Sequence, residues 1–459
     1  MRETLKRTVF RSSKLLHFAM TMLLFAVYYY FFIYGAKGLT VDVMRHSTMA
    51  IVYAIVVLFL FRSYNAYNVG LSRIRMLVYS QFLGDFVAAG IMYVLLAINH
   101  LRLLNPLPLL VLLAAQLVVN VLWSYLTNLL YFAMFKPRKT AIIYSDADAL
   151  SRISEVHDFD RKFRVRWSIQ SDEEDVFTRL SEMEGVEAVF ISGISASARN
   201  GVLKYCVENS IRCYVSPRVG DVLLEGANHL ELFSAPVYRV MRAAPSIEYV
   251  IIKRLIDIVA AVLGIVLCSP FMLITAIAIK VYDRGPVLYK QVRLTKDGKT
   301  FKILKFRSMR VDAEKDGVAR LASENDDRIT PVGKIIRACR LDELPQLFNI
   351  LVGDMTIVGP RPERPEIASQ YEQDLPAFRL RLQAKAGLTG LAQVYGKYNS
   401  DPYDKLRMDL MYINKMSLLE DIKLMFATVK VLFMKESTSG IAEGQTTAAK
   451  TEEKEFAVK

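Results

Sequence analysis

The sequence predicts a membrane α/β protein in three parts: a four-helix transmembrane bundle, a Rossmann-like α/β domain, and a monotopic α/β domain that carries a re-entrant membrane helix. Three observations predict it. Four apolar runs fill the first part of the chain, near 15–35, 48–61, 78–98 and 107–135. From Thr140 the pattern changes to short strands alternating with helices. A further apolar run, Ile256 to Ile279, is interrupted at Ser269-Pro270 and has basic residues on both sides. The 459 residues leave room for about three domains, and the divisions read as 1–135, 136–247 and 248–435, with a tail at 436–459.

The three long runs and their shorter companion at 48–61 suit a hydrocarbon core of roughly 30 Å. No small-residue cleavage site follows the first run, so it reads as an anchor. Basic residues cluster before it (Arg2, Lys6, Arg7, Arg11), between the second and third (Arg62, Arg73, Arg75) and after the fourth (Lys136, Arg138, Lys139). That places both ends of the bundle in the cytoplasm. Asp85 is the one acid well inside these runs and is expected near an interface, which gives a transport path little support. The chain is 53% hydrophobic with a net charge of +13. This combination points to membrane lipid and phosphorylated partners, and no finger, RNP or basic-helix pattern suggests nucleic acid. The four cysteines have no zinc spacing and read as reduced thiols.

In the second part, TAIIY, VRWSI, EAVFI and IRCYV read as parallel strands, with helices near 146–157, 174–183 and 195–209. A dinucleotide site would need glycines after the first strand so that backbone can approach a pyrophosphate. Here Ser145-Asp146-Ala147-Asp148 follows instead, so the domain is expected to be structural or regulatory. The Asp-x-Asp triplet has two readings, a metal-binding motif or a helix N-cap, and the cap is the expectation. A connector near 216–247 leads on to Lys253-Arg254.

Each half of the apolar run around Pro270 is about twelve residues, roughly 18 Å as helix, too short to cross. Lys253 and Arg254 before it, and Lys280 and Arg284 after it, put both ends inside. The expectation is therefore a re-entrant helix over 253–280 kinked at Ser269 and Pro270, with the Ser269 hydroxyl serving backbone freed by proline. A single kinked span is the alternative. Asp257, early in the run, is expected at the interface.

The last part is organised around KIIRACRLDELPQLFNILVGDMTIVGPRPERPE at 334–366. Asp342 and Glu343 precede Leu344-Pro345, and proline belongs in the first turn of a helix, so a helix is expected from Asp342 towards Leu351. A helix N-terminus favours anions and lowers both carboxyl pKa values. Arg337, Arg340, Arg361 and Arg364 surround the pair in sequence. Carboxylates ringed by guanidiniums suit metal-assisted phosphoryl transfer, in which one attacks, the other holds a cation and the arginines clamp phosphate. Upstream, FKILKF at 301–306 reads as a strand that puts Lys305 and Arg307 on one face. KAGLTGLAQV at 385–394 reads as a loop whose two glycines approach a ligand, 401–434 has helical periodicity, and the polar tail after Ser437 reads as disordered.

These motifs resemble the bacterial polyprenyl-phosphate glycosyl-1-phosphate transferases, in their long form, which start exopolysaccharide or capsule assembly. The resemblance rests on KRLIDIVAAV (253–262), the Ser269-Pro270 break, GPVLYKQVR (285–293), KFRSM (305–309), RLDELPQLFNILVGDM (340–355), VGPRP (358–362) and GLTGLAQV (387–394). It implies that Asp342 attacks the β-phosphate of a nucleotide diphospho-sugar such as UDP-glucose or UDP-galactose. UMP would leave, and polyprenyl phosphate would take the sugar phosphate from the aspartyl intermediate. It implies Mg²⁺ at Glu343, phosphate contacts at Arg337 and Arg361, and Lys305 and Arg307 on a basic strand. The implied setting is the bacterial cytoplasmic (inner) membrane with the site on its cytoplasmic face; a homo-oligomer stays open. Arg340, Thr295, Ala386 and Leu391 depart from the family's usual serine, glycine, proline and tryptophan. The competing reading is a non-catalytic membrane scaffold or sensor that binds a nucleotide.

Overall fold

The computed structural model describes residues 3–34, 43–171, 175–232, 234–313, 326–396 and 401–432. The tail expected at 436–459 lies outside them. The chain forms two compact units divided after Ser216.

In the first unit, four helices are α1 (Glu3–Tyr28), α2 (Val43–Ser63), α3 (Ile74–His100) and α4 (Leu107–Met134). α1 with its extension to Ile33, α3 and α4 are long and apolar enough to cross a membrane, while α2 offers a shorter apolar stretch from Ser47. Their outer faces are exposed leucine, valine and isoleucine, and their inner faces hold a polar seam. Asp85 is fully buried there and accepts a hydrogen bond from Asn120 Nδ2 at 2.8 Å. Asn120 Oδ1 in turn lies 2.9 Å from His17 Nε2. The interfacial position expected for Asp85 is corrected. It lies midway along α3, where facing helices supply the partners that lipid cannot.

The same unit continues with β1 (Arg138–Tyr144), α5 (Ala147–Ile153), β2 (Phe163–Gln170), α6 (Asp175–Ser181), β3 (Ala188–Ser192), α7 (Ala196–Glu208) and β4 (Arg212–Val215). The strands form one sheet in the order β2-β1-β3-β4, and every pair is parallel. Parallel strands need helical crossovers, which cover both faces. Ala141 and Ile143 accordingly pack with Val202 and Cys206, and Ile142 packs on the other face with Ile153 and Val156. Asp146 Oδ1 accepts from Ala149 N at 2.7 Å, which is the helix-cap geometry expected of the acidic triplet.

The second unit opens with α8 (Val219–Glu225) and the hairpin β5 (Asn228–Leu232) and β6 (Ala235–Arg239). Within this stretch, read from sequence as a connector, α8 is built into the core of the second unit, where Val222 packs with Val358, Phe378, Leu406 and Leu410, while the hairpin stays exposed. Next come α9 (Ile247–Asp283), β7 (Leu288–Leu294), β8 (Thr300–Phe306), α10 (Pro331–Ala338) and α11 (Gln346–Val352). The unit ends with β9 (Thr356–Val358), α12 (Pro365–Asp374), β10 (Gly387–Thr389), α13 (Leu391–Tyr395), α14 (Pro402–Asn414) and α15 (Leu418–Leu432). β7 and β8 pair antiparallel, and β9 and β10 pair parallel.

α9 is one 37-residue helix that runs through Pro270, not two half-helices. Proline has no N–H to give the carbonyl four residues back, that of Val266, and Ser269 Oγ donates to that oxygen at 2.8 Å. The hydroxyl thus plays its expected part and keeps the helix continuous. One face of α9 is anchored by polar contacts. Arg254 donates to Ile350 O (2.6 Å) and Leu351 O (2.8 Å), carbonyls in the last turn of α11. Asp257 is 4% exposed and accepts from Thr356 Oγ1 (2.7 Å) and Ile357 N (3.0 Å). β9 thus supplies both donors to this carboxylate early in the helix. The other face, including Leu263, Val266, Leu267, Leu273 and Ile274, is exposed apolar surface.

Candidate active site

Asp342 and Glu343 lie in a short 3-10 turn, Leu341–Glu343, ahead of α11. The helix does not start at Asp342 as expected; Pro345 holds the cap position and α11 begins at Gln346. Arg340 enters the turn in left-handed backbone (φ 57°). Leu341 and Leu344 flank the acids and pack against a core of Ile279, Phe306 and Ile336. Because Ile279 belongs to α9, the turn is seated directly on the apolar helix.

Asn349 joins α11 to β8. Its Oδ1 accepts from Leu304 N (2.9 Å), and its Nδ2 donates to Lys302 O (2.9 Å) and Asp354 Oδ2 (3.3 Å). The next strand residue, Lys305, thereby reaches Glu343 Oε1 at 3.3 Å. Arg361 Nη2 donates to the same oxygen at 2.9 Å, and Arg340 Nη1 lies 3.8 Å away. Arg337, from α10, faces Asp342 electrostatically.

The two carboxyls are driven apart. Burial and the Glu343 charge raise Asp342 above the usual carboxylate range, against the pull of Lys305, Arg337 and Arg340. Burial also works to raise Glu343, but Arg361, Lys305 and Arg340 outweigh it and hold that carboxyl well below the range. The expectation that both would be lowered is therefore corrected for Asp342: with no full helix turn beginning at it, desolvation wins. Lys305 is pushed down by burial, with only partial support from Glu343.

The loop 359–362 is set by close backbone approach. A Cβ on Gly387 would lie 2.2 Å from Gly359 N, and one on Gly390 would lie 2.2 Å from Gly359 O. The two glycines expected to approach a ligand approach this loop instead. Arg307 does not join the acids: it pairs with Asp283 at the end of α9 and is 7% exposed. Arg364 pairs with Glu366 at 3.5 Å. Two departures from the family pattern form one contact, since Ala386 N donates to Thr295 Oγ1 at 3.1 Å. Proline at 386 could not donate, and glycine at 295 could not accept.

Four charged residues near Arg361 carried no role in the sequence reading: Glu363, Arg381, Lys405 and Asp409. Arg381 and Asp409 form a buried pair at 2.7 Å. Burial works to raise Glu363, but Lys405, Arg381, Arg293 and Arg361 together lower it. Asp409 falls inside the 401–434 stretch read only as helical, and nothing in PAFRLRLQ marks Arg381 as buried.

Fold and site together define an α/β domain that rests on a long apolar helix and presents two unlike carboxyls inside a ring of lysine and arginine. Residues 248–435 match the family described as bacterial sugar transferase. The chain is 44% identical over 191 residues to the UDP-N-acetylgalactosamine-undecaprenyl-phosphate N-acetylgalactosaminephosphotransferase of Aeromonas hydrophila, covering 41% of this chain and 45% of that one. It is 43% identical over 192 residues to the UDP-glucose:undecaprenyl-phosphate glucose-1-phosphate transferase of Klebsiella pneumoniae, 41% of either chain. A protein of that same description from Caulobacter vibrioides is 43% identical over 185 residues, 39% of this chain and 69% of its own length. The chain belongs to the bacterial sugar transferase family. It spans less than half the length of the first two relatives.

Proposed function

We propose that the chain transfers a sugar 1-phosphate from a UDP-sugar to polyprenyl phosphate at the cytoplasmic face of the bacterial inner membrane, initiating exopolysaccharide or capsule assembly. The observation that carries the reading is the unlike carboxyl pair inside four cations. A half-buried, poorly solvated Asp342 is a strong nucleophile once ionised, and the surrounding guanidiniums offset charge on a diphosphate. An Asp342 oxygen bonds to the β-phosphorus while the bond from that phosphorus to the bridging oxygen breaks. UMP leaves with the electron pair. A phosphate oxygen of the lipid then attacks the same phosphorus, and Asp342 is released as the diphosphate-linked lipid sugar forms. Glucose and galactose are the donors proposed first; the relatives' descriptions differ in sugar.

Among the described residues no group of three or more histidine, cysteine, aspartate or glutamate side chains comes together. One ionised carboxylate still suits Mg²⁺, which takes one or two protein carboxylates and fills its shell with water and substrate phosphate. Glu343 is the residue that would hold it, and the ion would offset charge on the donor diphosphate. The contacts of Glu343 Oε1 with Lys305 and Arg361 favour a second role, as the anion that orients both cations.

The re-entrant reading draws support from α9. Ile265 and Met272 both pack against cores of the α/β domain, so only six residues separate these two contacts. The seven steps from Ile265 to Met272 rise about 10 Å, far short of a hydrocarbon core of roughly 30 Å. Release of UMP from UDP-glucose, UDP-galactose and UDP-N-acetylgalactosamine by purified protein with polyprenyl phosphate tests the function. No release with any donor would leave the scaffold reading. Cysteines at Ser145 and Ser437 should both resist an impermeant thiol reagent in intact cells; labelling at 437 alone would mean that α9 spans.

A further inference from the structure

We infer that Arg381 is a positioning residue that fixes the backbone of Arg361, with Asp409 as the group that fixes Arg381. The inference rests on the proposed function and extends it to residues that touch neither donor nor acceptor. Arg381 is 3% exposed, and its guanidinium lies 4.8 Å from the Phe378 ring centroid. Nε donates to Asp409 Oδ2 at 2.8 Å. Nη2 donates to Arg361 O at 2.9 Å, and Nη1 lies 3.6 Å from Glu363 Oε1. One rigid fork therefore holds Asp409 on α14 with one edge and the 361–363 segment with the other. From the opposite side, Arg293 on β7 donates to Pro362 O at 3.1 Å. The carbonyls of Arg361 and Pro362 are each held by a separate guanidinium.

A buried ion pair of this kind is a poor source of stability, because desolvation offsets the attraction. What the fork supplies is a fixed direction for the Arg361 side chain. That side chain reaches from a loop to Glu343 Oε1 at 2.9 Å while remaining 36% exposed. A cation meeting a donor phosphate must be placed within a fraction of an ångström, and a misplacement of about 1 Å can cost about a hundredfold in rate. Lysine at 381 keeps the charge for Asp409 but has no planar fork to serve Arg361 O as well.

A kinetic cycle on the full-length protein in lipid nanodiscs tests this, with UMP release read as kcat and as donor KM. Arg381→Lys and Asp409→Asn should each lower kcat by about a hundredfold. In an Arg361→Ala background neither should lower it further, since the side chain they place is gone. Equal fold losses in both backgrounds would mean that Arg381 serves the fold alone, and an undiminished kcat would overturn the inference outright. If Arg381→Lys does not fold, Asp409→Asn carries the same cycle. If the wild type releases no UMP from any donor, the proposed function fails separately, and the cycle is then read from the affinity for UDP, a readout that needs no chemistry.

Discussion

Removing the Asn349 side chain should damage the site without touching an acid or a cation. Asn349 is 4% exposed and makes the two hydrogen bonds that join α11 to β8, with a third to Asp354. Asn349→Ala leaves the part-buried Leu304 N–H without this partner, at a cost of about 1–3 kcal/mol, and withdraws a donor from Lys302 O for about 1 kcal/mol more. The expected total is about 2–4 kcal/mol, enough to loosen the strand that carries Lys305. Lys305 Nζ and Glu343 Oε1, now 3.3 Å apart, would no longer be held in register. Thermal unfolding in detergent should show the lost stability, and kcat for UMP release should fall by about a hundredfold. Lys305→Met combined with Asn349→Ala should be little slower than Lys305→Met alone. An Asn349→Ala protein with unchanged melting and unchanged kcat would refute the joint.

Four further outcomes are expected from other contacts. Glu343→Gln should lower activity and flatten its response to Mg²⁺; an unaltered Mg²⁺ response would assign the carboxylate only the orienting role. Ala386→Pro removes the donor to Thr295 Oγ1, so a Thr295→Ala and Ala386→Pro stability cycle should show coupling of about 1 kcal/mol, and strict additivity would deny the contact. Glu363, held below the ordinary carboxylate range in the folded protein, contributes stability above its unfolded pKa and loses it as pH falls through the lower folded value. Acid unfolding should thus be less steep in Glu363→Gln, and an identical acid limb would contradict this. Asp257→Ala should lower the melting temperature by removing the acceptor for Thr356 Oγ1 and Ile357 N; unchanged melting would mean β9 is held elsewhere.

Much of the fold was legible because period and length report directly on burial. All four strands of the first sheet fall where the short runs predicted them, and the two central ones, β1 and β3, are covered on both faces and read as near-continuous apolar runs. The Ser269 hydroxyl was legible too, because only a few groups near Pro270 could serve an open carbonyl. Partners distant in sequence were not. Nothing local to Asp85 announces Asn120 on another helix, and nothing local to Asp257 announces the donors of β9 about a hundred residues later. The opposite displacement of the Asp342 and Glu343 pKa values was hidden for the same reason: it depends on which oxygen meets Lys305 and Arg361, not on adjacency. Arg381 shows the limit most clearly. In sequence it is one of two arginines in a polar stretch, and only its neighbours in space distinguish it from Arg379.

The most direct test of the central claim looks for the covalent intermediate itself. Protein incubated with UDP-sugar in the absence of polyprenyl phosphate, quenched and digested, should yield a peptide containing Asp342 that carries one sugar phosphate by mass spectrometry. Addition of polyprenyl phosphate before the quench should discharge it, and Asp342→Asn should neither form the adduct nor turn over. A sugar phosphate found on another residue, or full turnover by the Asp342→Asn protein, would contradict the account.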